Sequence, residues 1–208
     1  MRELRAAQSL APTDAEVLRN VGYRQMELGE FEKADAALSK GLALDPLSIA
    51  LRINSAMLAR HAGQPDESLR RLKAALDIDE GSWWAHDQLS RLARDKCDYE
   101  NAVEYRARAA ELRGDNVSAK YHRDSFATGG WKAYLAAIIQ EPKHSFSRYD
   151  IAQAHVDLGD VDSAFATLND VIDNYEQHSG WFKVDAALAP IRADPRYAAL
   201  LKRAGFPE

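Results

Sequence analysis

Three carboxamide side chains recur at a constant interval, and their type and spacing point most clearly to a chemical role. Asn20, Asn54 and Gln88 follow one another at intervals of 34 residues. A carboxamide both donates and accepts hydrogen bonds, and the backbone of an extended peptide does the same. The spacing therefore favours recognition of a peptide backbone over covalent chemistry. The alternative is that the three amides have no binding role.

The reactive residues do not form a catalytic set. The stretch HRDS at 122–125 is similar to the catalytic loop of protein kinases, but the asparagine that should follow it, a glycine-rich loop and a partner lysine are all absent. The six histidines show no i, i+4 pairing, and Cys97 is the single cysteine. Neither a zinc site nor a catalytic thiol is predicted. We expect a protein that is not an enzyme and uses no metal or cofactor.

The composition is that of a soluble globular protein. Of 208 residues, 46% are hydrophobic and 28% are charged, and the formal net charge is −5 with both signs interspersed. This charge pattern disfavours nucleic acid and anionic lipid as direct partners. No apolar stretch approaches the roughly 20 residues that cross a bilayer, and the N-terminus lacks the apolar core of a signal peptide. We predict a cytoplasmic protein of unknown oligomeric state.

A repeat of 34 residues organises the chain. Residues that can cap the first turn of a helix recur at this spacing, at Asp14, Ser48, Ser82 and Asn116. Apolar residues then recur every three or four positions, which predicts two helices in each unit. Small residues occupy the positions where the two helices would cross: Gly22, Ala56 and Ser90 on the first helices, and Ala34, Ser68 and Ala102 on the second.

The turn between the two helices of a unit is expected to need glycine. Gly29 and Gly63 stand at this position in the first two full units, and Cys97 replaces them in the third. Glycine adopts the left-handed backbone conformation that such turns require without steric cost. We therefore interpret Cys97 as a tolerated turn residue.

The chain resembles the tetratricopeptide repeat (TPR) family. In the first full unit the resemblance is carried by Leu18, Val21, Gly22, Gly29, Phe31, Ala34, Leu38, Leu42 and Pro46. It implies an all-α fold, a right-handed TPR solenoid of stacked antiparallel helix pairs, in which the first helix of each unit lines a concave groove. An irregular middle unit and a C-terminal capping helix are expected to interrupt and close the solenoid.

The resemblance also implies a peptide-binding surface and a protein or peptide partner. The residues expected to face the groove are Asn20, Tyr23, Asn54, Met57, Trp84, Gln88 and Arg91. Tyr, Trp, Met and Arg are enriched in the cores of protein interfaces. Trp84 could instead pack between units. Some TPR proteins clamp a C-terminal carboxylate, but Arg19 and Tyr23 occupy two of the clamp positions here, so such a ligand is not expected.

The repeat divides the chain into segments. Full units are predicted at 15–48, 49–82 and 83–116, after a truncated unit at 1–14 that supplies only a second helix. That truncation indicates either a piece of a longer protein or a single capping helix. A degenerate unit at 117–144 should contain two short helices separated by Gly129 and Gly130. The repeat resumes at 145–178, and 179–208 should form the C-terminal cap.

The C-terminal part carries a second resemblance. Residues 129–207 are similar to the C-terminal ends of bacterial multi-domain signalling proteins through Lys183, Val184, Asp185, Arg192, Asp194, Pro195 and Arg196. Such ends follow winged-helix transcription regulators, adenylate cyclases and serine/threonine kinases. The resemblance implies an interaction scaffold within a bacterial signalling or transcription regulator. The alternative is the regulatory arm of a larger enzyme, a kinase or cyclase whose catalytic domain lies upstream.

Overall fold

The computed structural model describes residues 13–144 and 146–206, and every regular element in these residues is a helix. The chain divides into two compact units, Met1–Leu92 and Ala93–Glu208, each with its own packing. Nearly all of the truncated unit expected at 1–14 lies outside the described residues. None of the described helices combines the length and the apolar character needed to cross a membrane.

The first unit contains two helix pairs and the start of a third. Helices α1 (Ala15–Glu27) and α2 (Phe31–Leu44) form the first pair, and α3 (Ile49–His61) and α4 (Pro65–Leu76) form the second. Helix α5 (Trp83–Asp95) begins in this unit. The two helices of each pair pack on each other, α2 packs on α3, and the two first helices α1 and α3 also contact each other. The predicted all-α arrangement of consecutive packed helix pairs is confirmed.

The predicted helix caps in the first unit are confirmed. A carboxylate oxygen of Asp14 accepts hydrogen bonds from the backbone N–H groups of Glu16 and Val17, at 2.8 and 3.0 Å. The hydroxyls of Ser48 and Ser82 each accept a bond at 3.4 Å from the N–H three residues further on. These bonds satisfy donors that the first turn of a helix leaves free, so the caps fix where α1, α3 and α5 begin.

Glycines allow the closest approaches between helices in the first unit. A Cβ atom added at Gly22 on α1 would lie 2.7 Å from Cγ of Leu38 on α2. A Cβ atom at Gly41 on α2 would lie 2.8 Å from a methyl group of Leu51 on α3. Leu38 is only 1% exposed and is therefore buried where α1 and α2 cross. Because neither glycine has a side chain, Leu38 and Leu51 can fill the space between the helices.

The second unit is built from helices of unequal length. It contains α6 (Tyr99–Leu112), α7 (Asn116–Gln140), α8 (Arg148–Leu158), α9 (Val161–Asp173) and α10 (Arg196–Arg203). Short 3-10 turns occur at Pro142–His144, Gln177–Trp181 and Ala186–Ile191. Each helix from α6 to α9 packs on the next, α10 packs on α9, and Ala186–Ile191 packs on α8.

Two features of α7 refine the expectations for the irregular middle segment. Gly129 and Gly130 have non-helical backbone angles, and Gly130 has a φ of 69°, so the predicted break between two shorter helices is confirmed as a kink. The predicted cap Asn116 is wrong by one residue. Asp115 caps α7 instead, because its carboxylate accepts hydrogen bonds from both the N–H and the hydroxyl of Ser118, at 2.9 and 2.6 Å.

Hydrogen bonds to Asp185 connect the C-terminal cap to α8. This carboxylate is 2% exposed and accepts hydrogen bonds from the Tyr149 hydroxyl and the Gln153 amide, both at 3.0 Å. Its second oxygen accepts a bond from the N–H of Ala187 at 3.1 Å, and Arg192 donates to its backbone carbonyl at 2.9 Å. Two of the residues that carry the second resemblance, Asp185 and Arg192, therefore have packing roles.

Candidate peptide-binding surface

The seven expected binding residues lie on three helices of the first unit. Asn20 and Tyr23 are on α1, and Asn54 and Met57 are on α3. Helix α5 supplies Trp84, Gln88 and Arg91. On each helix the chosen residues are three or four positions apart, so they share one helix face. Each of the three helices is the first helix of its pair, as the repeat predicts.

The exposure of these residues differs from the sequence expectation. Asn20 is exposed, whereas Tyr23, Trp84 and Arg91 are half-buried. The remaining three, Asn54, Met57 and Gln88, are buried. Asn54 and Gln88 are therefore not exposed at the surface, and their assignment as peptide-binding residues stays a prediction. Helix α3 packs against α1, α2 and α4, and this packing accounts for the burial of Asn54 and Met57.

Asn54 is the most unusual residue of this surface. It is 0% exposed, and neither the nitrogen nor the oxygen of its carboxamide has a hydrogen-bond partner. The side-chain oxygen of Gln88 is also buried without a partner. Each buried polar group left without a hydrogen bond costs about 1 to 3 kcal/mol. Native proteins rarely retain such groups, so their occurrence on the predicted binding face needs an explanation.

Asp87 is a member of this surface that the sequence analysis missed. Its carboxylate accepts a hydrogen bond from the Gln88 amide at 3.2 Å and from Nε of Arg91 at 3.0 Å. Asp87 and Arg91 are four residues apart on α5, which is the spacing of a helical ion pair, so the signal was present in the sequence. Because Asp87 already engages Arg91, an acidic group of a partner would have to share this guanidinium.

Two adjacent tryptophans offer apolar surface on α5. Trp84 shares the helix face of Gln88 and Arg91, whereas Trp83 points about 100° away around the helix. Trp83 is 43% exposed and Trp84 is half-buried. The register of α5 predicts Trp84 as a binding residue, and the exposure of Trp83 makes it a second apolar side chain at the edge of the same helix.

The reactive residues are placed in structural positions. His122 of the HRDS stretch is 1% exposed on α7, its ring nitrogens have no hydrogen-bond partner, and burial lowers its pKa to about 3. Cys97 is exposed and has a φ of 58° at the turn between α5 and α6. Among the described residues, no group of three or more His, Cys, Asp or Glu side chains is arranged to hold a metal ion.

Comparisons with known proteins support the fold and give little beyond it. No protein-family model matches the chain, and no curated protein matches its sequence. Among solved structures, the chain is similar to a chain in the crystal structure of the APC/C hetero-tetramer Cut9–Hcn1, with a TM-score of 0.51 and 16% sequence identity. The match covers 97% of this chain and 45% of the other. At this level of identity the likeness concerns the fold alone, and it agrees with the packed helix pairs.

Proposed function

We propose that this protein is a non-catalytic interaction module that binds an extended segment of a protein partner along α1, α3 and α5. The observation that carries the proposal is the carboxamide of Asn54, which is fully buried and makes no hydrogen bond. A bound peptide backbone offers the donor and the acceptor that this carboxamide lacks. The partly unsatisfied amide of Gln88 and the exposed amide of Asn20 lie on the equivalent faces of the neighbouring first helices.

Access to the buried amides requires movement of the side chains that cover them. Binding would therefore begin at the accessible members of the surface, Asn20, Tyr23, Trp84 and Arg91. Side-chain rearrangements at interfaces are common even where the backbone moves little. The free energy needed for the movement is offset when the buried amides gain hydrogen bonds that the free protein leaves unmade.

The apolar contribution to binding would come from the aromatic residues of α5. Trp84 lies one helical turn before Gln88 on the same face. Tryptophan residues dominate the binding energy of many protein interfaces because they bury a large apolar area. The ion pair between Asp87 and Arg91, at 3.0 Å, would border this apolar contact and orient the amide of Gln88.

We further propose that this module belongs to a regulatory protein of bacterial signalling. The support is the resemblance of residues 129–207 to the C-terminal ends of bacterial signalling proteins. Two of the residues that carry it, Asp185 and Arg192, form hydrogen bonds within the C-terminal cap. The second candidate is the regulatory arm of a larger kinase or cyclase, supported by the same resemblance. Mass spectrometry of the endogenous protein separates them, because an attached catalytic domain adds its own peptides and mass, whereas a regulator without one does not.

The binding proposal is tested with a peptide selected against the wild-type chain from a random display library. The selected peptide is titrated by calorimetry into the wild type and into Trp84→Ala and Asn54→Ala variants. We expect Trp84→Ala to weaken binding by about 2 kcal/mol or more and Asn54→Ala by about 0.5 to 1.5 kcal/mol.

Asn101→Ala is the matched control, because Asn101 is an exposed asparagine that bonds only within the start of α6. It should bind the peptide as the wild type does. Unchanged affinity of both test variants would contradict the proposal. Loss of folding in Trp84→Ala, seen in a thermal melt, would show that this tryptophan is a packing residue instead.

A further inference from the structure

A small cleft in the first unit is lined by three arginines and two serines. Its volume is about 220 Å³, and its lining residues are Ser39, Leu42, Arg52, Ser55, Arg70, Arg71 and Ala74. Pockets that enclose a whole small molecule have volumes of about 300 to 1,000 Å³. The cleft could hold roughly seven water molecules at about 30 Å³ each. Its size therefore suits a single polar group with part of its hydration.

The cleft lies on the opposite side of α3 from the carboxamides. Successive residues of a helix are rotated by about 100°, so Arg52 and Ser55 share one side of α3. Asn54 and Met57 point to the other side, roughly 160° away. The cleft is therefore a separate feature of the first unit, and an inference about it does not depend on the peptide-binding proposal.

Each arginine of the cleft retains hydrogen-bonding capacity. Arg52 donates from Nε and Nη2 to the carbonyl of Pro46, at 3.0 and 2.6 Å. Arg70 donates from Nε and Nη2 to Glu67, at 2.7 and 2.6 Å. Nη1 of Arg52 and Nη1 of Arg70 have no bond to any described residue. These terminal nitrogens carry charge and donors that a ligand could use.

Arg71 is held in place by both of its neighbours. It donates from Nε to Glu67 at 2.6 Å and from Nη1 to the carbonyl and the hydroxyl of Ser55, at 3.0 and 2.6 Å. Its Nη1 also lies 3.9 Å from a carboxylate oxygen of Asp35. Nη2 makes no bond within the described chain. A guanidinium fixed on one side presents its remaining donors in a defined direction.

Ser55 supplies a donor that is almost entirely buried. The residue is 7% exposed, and its hydroxyl accepts the bond from Arg71 but donates to no described acceptor. Because a hydroxyl group carries one donor, the hydrogen of Ser55 is available to an acceptor in the cleft. The site therefore combines a nearly buried neutral donor with charged donors and lacks a matching acceptor.

The cleft keeps a positive charge after its internal ion pairs are counted. Hydrogen bonds from Arg70 and Arg71 lower the pKa of Glu67 to about 2, so Glu67 is ionised at neutral pH. Three guanidinium groups then face one bonded carboxylate, Glu67, and the more distant carboxylate of Asp35. The excess positive charge favours an anionic ligand, and Glu67 competes with that ligand for two of the arginines.

We propose that this cleft binds a phosphoryl group, either as free phosphate or on a phosphorylated side chain of a protein segment. A phosphoryl group carries close to two negative charges at neutral pH and three acceptor oxygens. Arginine recognises such groups through paired, charge-assisted hydrogen bonds. The terminal nitrogens of the three arginines and the hydroxyl of Ser55 supply the donors, and the cleft volume admits the group without its carrier.

The test is a nuclear magnetic resonance titration of the isotope-labelled full chain with inorganic phosphate. Sodium chloride at matched ionic strength is the reference, and the signals of the Ser55 amide and of the arginine Nε groups are followed. We expect saturable shifts confined to the cleft with phosphate and none with chloride. A peptide containing phosphoserine and its unphosphorylated counterpart form a second arm. Saturation by the phosphopeptide assigns the site to a protein segment, and saturation by phosphate alone assigns it to the free ion.

Variants make the test specific for this arrangement of charges. Arg52→Gln and Arg70→Gln should each weaken phosphate binding about tenfold, because each removes charged donors. Glu67→Gln should strengthen binding about threefold, because it removes the competing carboxylate. Lys33→Gln is the matched control, since it removes one positive charge from an exposed ion pair with Glu30 outside the cleft.

Two results would overturn the proposal. One is a set of shifts that fails to saturate or is reproduced by chloride. The other is weaker binding in Glu67→Gln than in the wild type. Unchanged peptide affinity in Trp84→Ala and Asn54→Ala would contradict the peptide-binding proposal but would leave the phosphate titration unaffected, so the two proposals can fail independently.

Discussion

The two units treat their buried polar groups in different ways. In the first unit the carboxamide of Asn54 and the oxygen of Gln88 are buried without hydrogen bonds. In the second unit Asp185 is buried with three hydrogen bonds to its carboxylate, and Asp150 is buried beside Arg106 at 3.4 Å. The second unit also buries the ring nitrogens of His122 without hydrogen bonds, so the difference lies in its buried carboxylates, which form hydrogen bonds between separate elements. We locate peptide binding in the first unit because its unbonded amides lie on the helix faces that the 34-residue repeat predicts for binding.

Helix packing explains the contrast. In the first unit, glycines at the crossing points let leucine side chains set the spacing between helices, and Arg71 adds hydrogen bonds from α4 to Ser55 on α3. The second unit has a kinked helix and 3-10 turns that apolar contacts alone specify poorly. Its helices are cross-linked by ion pairs, such as those of Arg123 with Glu104 and Glu111 at 2.7 and 2.5 Å. Arg94 likewise joins Asp157 at 2.7 Å.

Truncation of Leu38 should have the largest effect on the first unit. Leu38→Ala should lower the free energy of unfolding by about 2 to 5 kcal/mol, because the side chain is buried against Gly22 and leaves a cavity. Urea denaturation measures the change. Leu47→Ala is the control, since Leu47 is 70% exposed, and should change the free energy of unfolding little. An unchanged midpoint in Leu38→Ala would contradict the packing described for α1 and α2.

Acid should destabilise the second unit through His122. Its pKa is about 3 in the folded protein and 6.5 in the unfolded chain, because burial penalises the charged imidazolium. The unfolded chain therefore takes up the proton first, and stability falls as the pH drops from about 6.5 towards 3. The expected loss at pH 5 is roughly 2 kcal/mol, at about 1.36 kcal/mol per pH unit.

The pH dependence is measured by urea denaturation between pH 7 and pH 5. His122→Phe should remove most of the loss, because phenylalanine fills the aromatic site between Tyr134 and Phe146 without a titrating group. His178→Gln, a change at a partly exposed histidine of the same unit, should retain it. Equal pH dependence in the wild type and His122→Phe would show that another group is responsible.

Relief of backbone strain at Cys97 should give a smaller effect of opposite sign. Cys97→Gly should raise the free energy of unfolding by about 0.5 to 1 kcal/mol, because glycine adopts a φ of 58° without the steric penalty of a side chain. A thermal melt should show an increase of roughly 1 to 4 °C. Lys96→Gly, one residue earlier and without a positive φ, should lower the melting temperature. A fall in both variants would contradict strain at Cys97.

Much of the fold could be predicted from sequence because its helix ends and its kink depend on residues that are close together in the chain. The caps at Asp14, Ser48 and Ser82 depend on hydrogen bonds within three residues, and the kink at Gly129 and Gly130 depends on glycine itself. The cap of α7 was misplaced because Asp115 and Asn116 are adjacent and both residue types can cap a helix. The deciding factor is which side chain reaches the N–H of Ser118, and that requires coordinates.

The candidate site was harder to predict because burial depends on neighbouring helices. The register correctly placed Asn20, Asn54 and Gln88 on the first helices of their pairs, but a spacing of 34 residues does not state how deeply each lies. The ion pair of Asp87 with Arg91 was visible as an i, i+4 pair. The arginine cleft has no linear motif, because Arg52 and Arg71 belong to different helices and meet only after α3 packs on α4.

The most direct test of the account measures stability and peptide binding in an Asn54→Leu variant. Leucine has the same number and branching of side-chain heavy atoms and needs no hydrogen bond, so removal of the unsatisfied carboxamide should raise the free energy of unfolding by about 1 to 3 kcal/mol. The same change should weaken binding of the selected peptide by about 0.5 to 1.5 kcal/mol, because the backbone loses its hydrogen-bond partner. Asn101→Leu, at an exposed position of α6, serves as the control for both quantities. An Asn54→Leu variant that is less stable than the wild type would contradict the proposal that the Asn54 carboxamide forms its hydrogen bonds only with a bound peptide. A variant that binds the peptide as tightly as the wild type would contradict it as well.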